Sequence, residues 1–130
     1  MNQHEIHDEL ENWYQSTLGI QLAYHINHIL HIFLNEVYGH IAIHNGIHLI
    51  TNKSLCTERM METYCVFPKK SGDNVIASPA SMPFSSDTVD LVSLIHSLEM
   101  SDHPHQVLRE AERILAPNGH LIIIAFNPFS

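Results

Sequence analysis

Two apolar runs near the end of the chain constrain the fold most. They are Val89–Ile95 (VDLVSLI) and Leu121–Phe126 (LIIIAF). Neither alternates with polar residues over its central part. A strand apolar at successive positions is buried on both faces, which is the situation of a parallel sheet covered by helices. The residues between the runs carry a helical period instead, with Val107, Leu108, Ala111, Ile114 and Leu115 on one face. Asp102 is placed to cap that helix and Pro104 sits in its first turn, where a missing N–H costs nothing. Pro117-Asn118-Gly119 is expected to stop it. Arg109, Glu110, Glu112 and Arg113 are expected to stay outside. Strand, helix and strand in this order form a right-handed crossover, so the fold class is α/β.

The preceding chain reads as a less regular version of the same plan. Ile6, Leu10 and Trp13 form one stripe of a helix from about Glu5 to Gln15, and Trp13 is its core anchor. Ser16 or Thr17 caps a second helix that reaches about Glu36. Its apolar period is Leu22, Ile26, Ile29, Phe33 and Val37, and Tyr38-Gly39 ends it. HIAIHNG, residues 40–46, is a short central strand closed by a turn. Ile47–Met61 is the least legible segment, with room for a short helix. Glu62–Phe67 and Asn74–Ser78 are two further strands, and Pro79–Ser86 is a loop. One domain results, with N-terminal helices over residues 1–38 and an α/β core over 39–130.

Composition narrows the function. The formal charge of −8, from 6 basic and 14 acidic residues, argues against a phosphate backbone as partner. The chain has 12 histidines, a residue type with an ordinary pKa of ~6.5, so mild acid is expected to move the charge towards positive. His25, His28 and His31 are spaced by three on the second helix. At most two of them can share one ion, and no metal is assigned. Cys56 and Cys65 lack metal-type spacing, which suits a reduced, cytoplasmic setting. The polar, acidic start is no secretory signal, and no apolar run approaches the ~20 residues that cross a bilayer.

The last third resembles the class I methyltransferases that use S-adenosylmethionine, above all the small bacterial members often called methyltransferase type 11. That family has a Leu-Pro-Phe-like loop before a strand reading Phe/Val-Asp-Leu-Val. A helix with Leu-Arg-Glu-x-x-Arg-Val-Leu, a Pro-x-Gly turn and another strand follow. This chain has Met82-Pro83-Phe84, then Val89-Asp90-Leu91-Val92. It continues with Leu108-Arg109-Glu110-Ala111-Glu112-Arg113-Ile114-Leu115 and Pro117-Asn118-Gly119. The segment Trp13–Gly46 also looks like the lead-in of a bacterial subgroup. The resemblance implies a Rossmann-like parallel sheet of order 3-2-1-4-5. It implies S-adenosylmethionine as cofactor, held near Gly46, Ser78, Ser81 and Met82, and a small-molecule acceptor. His96, just after the fourth strand, falls where the family places residues facing the substrate, and it is the candidate base. Glu99 is expected to be solvated, and Asp90 to anchor a loop.

The chain departs from the family pattern in the cofactor turn. His44 stands where the family has an acid, and only Gly46 of three glycines is kept, with His48 and Ile50 at the others. A side chain at a close-approach position is an obstacle, because only glycine lacks a Cβ. No acid ends the second strand at Val66-Phe67-Pro68. The chain also lacks the two strands that usually follow the fifth, which would leave 121–126 as an uncharged apolar edge. Either the domain is a shortened one, or the edge pairs with a second copy, and a homo-oligomer is expected. Two classes of function stay open: a methyltransferase acting on a small molecule, and a non-catalytic binding or assembly module of that fold.

Overall fold

The computed structural model describes residues 3–47, 60–67 and 74–126. Helices α1 (Gln3–Tyr14) and α2 (Thr17–Leu34) lead into strand β1 (Gly39–Gly46). Strands β2 (Met60–Phe67), β3 (Val75–Ile76) and β4 (Val89–Ile95) follow. A one-turn helix α3 (Ser97–Met100), helix α4 (Pro104–Ile114) and strand β5 (Leu115–Ile124) complete the order. The five strands form one sheet in the order β3-β2-β1-β4-β5, and every neighbouring pair is parallel. This is the expected topology. It puts all five carboxyl ends along one edge, where ligands bind in open α/β sheets. Ile47–Met61 was the segment of uncertain reading, and most of it, 48–59, lies outside the described residues.

Each face of the sheet has its own core. On one, Tyr14, Ala23, Leu30, Leu34 and Val37 pack against Ala42, Met60, Leu91 and Ile95. On the other, Val107, Ala111 and Ile114 of α4 pack with Ile43, Val66, Met82, Val89 and Val92. The apolar run of β4 serves both layers, which is why it does not alternate. Asp90, expected to anchor a loop, anchors strand β1 instead. Its Oδ2 accepts the backbone N–H groups of His40 (2.7 Å) and Ile41 (3.1 Å), fixing the start of β1 beside β4.

Four further expectations need correction. Helix α2 buries Gly19, Ala23, Leu30 and Leu34 and ends at Leu34, while Ile29 and Phe33 are 53% and 46% exposed. The helix is apolar around most of its girth, so period alone could not choose the face. The small residues chose it: a Cβ on Gly19 would lie 2.1 Å from the Trp13 carbonyl oxygen. Asp102 does not cap α4; His103 occupies that position and donates its N–H to the Ser101 hydroxyl at 3.0 Å. Strand β5 begins at Leu115, before Pro117-Asn118-Gly119. Val89 pairs with Leu115 and Leu91 with His120, so residues 116–119 form a bulge inside the ladder. A bulge tolerates a proline because its extra residues leave the ladder unpaired.

The fourth correction concerns Glu110, which is buried rather than outside. Its Oε1 accepts the Met82 N–H at 2.9 Å and its Oε2 accepts Arg113 Nε at 3.0 Å. Arg113 also donates to the Met82 carbonyl at 3.0 Å. The pair clamps the loop between β3 and β4 onto α4. The hydrogen bond from Arg113 holds the Glu110 carboxyl below the usual carboxylate range, against an opposing push from burial and with help from the Met82 amide. A depressed folded pKa contributes stability above the ordinary carboxylate value of about 4.3 and loses it as pH falls through the folded value. Glu110→Gln should therefore cost about 1–3 kcal/mol at pH 7. In urea unfolding at a series of pH values, that difference should shrink below about pH 4.

Candidate functional site

The carboxyl edge of the sheet gathers most of the polar residues singled out in the sequence. Gly46 ends β1, Ser78 and Ser81 follow β3, and His96 follows β4. The junction of β1 and β4 is close-packed. Gly46 has φ +109°, and a Cβ there would lie 2.0 Å from the Ile95 carbonyl oxygen and 2.9 Å from the Ser97 hydroxyl. Ser97 Oγ donates to the Asn45 carbonyl at 2.9 Å, Ile47 N–H donates to the Ile95 carbonyl at 3.0 Å, and Asn45 Nδ2 donates to the Val66 carbonyl at 2.7 Å. Gly46 is thus required by the backbone itself, whatever binds beyond it.

Ser78 and Ser81 are exposed and close a tight turn. Ser81 N–H donates to the Ser78 carbonyl at 3.0 Å, and Ala80 N–H donates to Ser78 Oγ at 3.1 Å. Ser78 Oγ keeps its own proton for a further partner. Met82 is buried in the core with both backbone polar groups engaged by the Glu110–Arg113 pair, so it supports this loop from beneath. His44 is buried within β1, with its ring edge-on to Phe67. His48 and Ile50 lie outside the described residues. Among the described residues, three metal-ligand side chains come together only at His7, Asp8 and Glu11 on α1, and the histidine's two nitrogens turn to different carboxylates.

His96 is the centre of the site. It adopts the left-handed conformation, φ +59° and ψ +17°, at the start of α3. That conformation is rare for a side-chain-bearing residue and costs roughly 1–3 kcal/mol, so it persists only where the surroundings enforce it. They do: His96 N–H donates to the Ile124 carbonyl at 2.7 Å, tying the end of β4 to the end of β5. The ring is only 1% exposed, and both nitrogens are used. Nδ1 lies 2.9 Å and 3.0 Å from the two Glu99 oxygens, and Nε2 lies 2.6 Å from the Tyr14 hydroxyl. A carboxylate only accepts, so Nδ1 carries a proton, and in the neutral ring Nε2 then accepts from the Tyr14 hydroxyl. Burial, and then the charge of Glu99, push the Tyr14 phenol up to about 12, which keeps that donor proton in place.

Aromatic rings surround this chain of hydrogen bonds. The Phe126 ring centroid is 4.6 Å from that of His96, and Trp13 lies 5.0 Å from Tyr14 and 5.6 Å from Phe126. Trp13 is half-buried against the core, as expected of an anchor, and also walls the site. Glu99 is not simply solvated: beyond His96, its Oε1 accepts the Phe126 N–H at 3.2 Å. The spacing of three between His96 and Glu99 was a readable signal, because such residues are neighbours on a helical turn. Tyr14 is 82 positions from His96, and nothing in one sequence links them.

A parallel 3-2-1-4-5 sheet with polar groups gathered at its carboxyl edge defines a Rossmann-like α/β protein. Residues 55–123, just over half of the chain, match the methyltransferase domain family, and the chain belongs to that family. Residues of this chain are 45% identical over 56 positions to the uncharacterized protein YafS of Escherichia coli K12, covering 43% of this chain and 23% of that protein. They are 42% identical over 53 positions to the mitochondrial 2-methoxy-6-polyprenyl-1,4-benzoquinol methylase of Caenorhabditis elegans, covering 41% and 19%. The matched stretch is thus about a fifth of the length of these relatives. A solved putative S-adenosyl-L-methionine-dependent methyltransferase of Methanococcus maripaludis superposes with a TM-score of 0.66 at 14% identity, over 94% of this chain and 63% of that one. That likeness is one of fold.

Gly46→Ala should cost at least about 2 kcal/mol in denaturant unfolding, because it adds both a positive-φ penalty and a clash with β4. Ser78→Ala, which removes an exposed hydroxyl, should stay within about 0.5 kcal/mol of the parent.

Proposed function

We propose that the chain is a methyltransferase-like protein that uses S-adenosylmethionine and acts on a small molecule. The observation that carries this reading is the common placement of Gly46, the Ser78–Ser81 turn and the His96 group along one carboxyl edge, in a chain of the methyltransferase domain family. The exposed Ser78 and Ser81 hydroxyls suit the polar edge of an adenine, and the close-packed turn at Gly46 leaves β1 ending at the same edge. When bound, S-adenosylmethionine supplies an electrophilic methyl group on a sulfonium. The protein's task is then to place a nucleophile in line with that methyl and to receive any proton the nucleophile sheds. His96 is the residue of this edge suited to that proton, which would reach it only through its hydrogen-bonded partners, since its ring is buried and both nitrogens are engaged. The N-terminal helices and the α/β core act as one unit in this reading, since Tyr14 of the first completes the His96 group of the second.

A second reading is a binding or assembly module of the same fold without catalysis. His44, at the family's acidic position, favours it, because its ring lies buried against Phe67 instead of offering a carboxylate. Titration calorimetry separates the two. Saturable heat with S-adenosylmethionine at up to millimolar concentration supports the first, and no heat supports the second.

We also infer a cytoplasmic place, from the acidic, cysteine-poor composition, and an assembly of two copies through β5. Among the described residues no helix is long and apolar enough to cross a membrane. Strand β5 lies at the sheet's edge, carries no Asp, Glu, Lys or Arg, and exposes Leu121 and Ile123. Exposed apolar edges of this kind invite pairing, and an uncharged strand meets its own copy without charge repulsion. Sedimentation equilibrium should show a dimer that Ile123→Lys converts to monomer. A parent that is monomeric at tens of micromolar contradicts the assembly.

A further inference from the structure

The chain holds two Asn-Gly pairs, Asn45-Gly46 and Asn118-Gly119. Such a pair is chemically fragile. Glycine has no Cβ to hinder its peptide nitrogen, so that nitrogen can attack the neighbouring carboxamide carbon. The attack needs the asparagine side chain and the following peptide to turn towards each other, so the fold decides which pair can react. At Asn45-Gly46 the fold forbids it. Asn45 is 4% exposed, and its Nδ2 donates to the Val66 carbonyl at 2.7 Å. Its own carbonyl accepts from Ser97 Oγ at 2.9 Å, and Gly46 pairs with Ile95 in the ladder between β1 and β4.

Asn118-Gly119 is built differently. Leu115 and His120 pair with Val89 and Leu91, which are two positions apart on β4. Two residues of strand span about 6.6 Å, so residues 116–119 cannot run extended between those partners and must fold back. They do: a Cβ on Gly119 would lie 3.0 Å from the Ala116 carbonyl oxygen. Pro117, Asn118 and Gly119 follow Ala116 in the order that a β-turn favours. Asn118 is exposed, and among the described residues nothing hydrogen-bonds its carboxamide. The turn stands near the amino end of β5, away from the carboxyl edge and ahead of the apolar run 121–126.

We propose that Asn118 is a site of spontaneous covalent modification, deamidation through a cyclic imide, with water as the co-reactant. In the first step the Gly119 nitrogen bonds to Asn118 Cγ and the Cγ–Nδ2 bond breaks. The proton lost by the Gly119 nitrogen leaves with the amide as ammonia. In the second step the oxygen of a water bonds to one of the two imide carbonyl carbons. The bond from that carbon to the Gly119 nitrogen breaks, and a proton of the water returns to the nitrogen. Attack at Cγ gives aspartate, and attack at the main-chain carbonyl carbon gives isoaspartate. Either product puts the first carboxylate on β5. Isoaspartate also lengthens the backbone path by one atom, which a turn outside the ladder can take up. The reaction needs neither cofactor nor acceptor, so it stands or falls apart from the methyltransferase reading.

The test compares the full folded chain with the same chain unfolded in guanidinium chloride. Both are held for weeks in warm, mildly alkaline buffer made with oxygen-18 water. Peptide mapping by mass spectrometry, with fragmentation, then follows each asparagine. Deamidation in ordinary water adds about one dalton, and the label taken up by the new carboxyl marks reaction during the incubation. In the folded chain Asn118 should react at least about tenfold faster than Asn45, whose reaction must wait for the sheet to open. In the unfolded chain the two pairs should react at similar rates. Asn118→Gln should leave the folded chain unlabelled at that position. A folded chain that keeps Asn118 intact while the unfolded chain loses it overturns the proposal. So does a folded chain in which Asn45 reacts as fast as Asn118.

Discussion

A fully buried imidazole must satisfy both of its nitrogens, and much of this structure depends on how His96 does so. An unsatisfied buried polar group costs about 1–3 kcal/mol. Two charge-bearing or polar partners must therefore come to the ring, and they come from separate elements. Glu99 arrives on α3, which His96 immediately precedes, and Tyr14 is the last residue of α1. The backbone N–H of His96 adds the end of β5. One residue thus ties the N-terminal helix, strand β4 and the edge strand β5 together at the carboxyl edge of the sheet. Its left-handed backbone is strained, and such strain concentrates at functional positions.

The loops of the sheet are held by a different set of charged side chains. Asp90 fastens the start of β1, and the Glu110–Arg113 pair fastens the loop through Met82. Several of the charged residues of the family-like segment are therefore spent on backbone amides and carbonyls. This explains how the segment most diagnostic of the family can say little about the chemistry: its motifs mainly build the scaffold. The groups suited to chemistry sit at the strand ends and on α1.

The fold was legible where the physics is local. The unbroken apolar run of β4 announced a strand covered on both sides, and its limits, Val89 and Ile95, match the structure. Helix α4 was visible in its period and in Pro104. Legibility failed where two faces were equally apolar, as on α2, where only the tight approach at Gly19 decided between them. It failed again where a charged residue was buried by a partner three positions away, as with Glu110 and Arg113. At the site, His96 was found by its place after β4, and Glu99 was within reach of the same reasoning. Tyr14 was not, because its meeting with His96 is made by the whole path of the chain through α2 and the sheet. Met82 was read as a cofactor contact from its loop, while its side chain fills the core.

In its neutral form the His96 ring donates through Nδ1 to the Glu99 carboxylate and accepts through Nε2 from the Tyr14 phenol. Nitrogen-15 NMR of histidine-labelled protein tests it directly, since the two ring nitrogens of one tautomer differ widely in shift. A single His96 signal set is expected at pH 7.5, with Nδ1 protonated and Nε2 unprotonated, and the Nε2 shift should change in Tyr14→Phe. A His96 ring protonated at Nε2 alone, or one averaging between tautomers as a solvated histidine does, would contradict it.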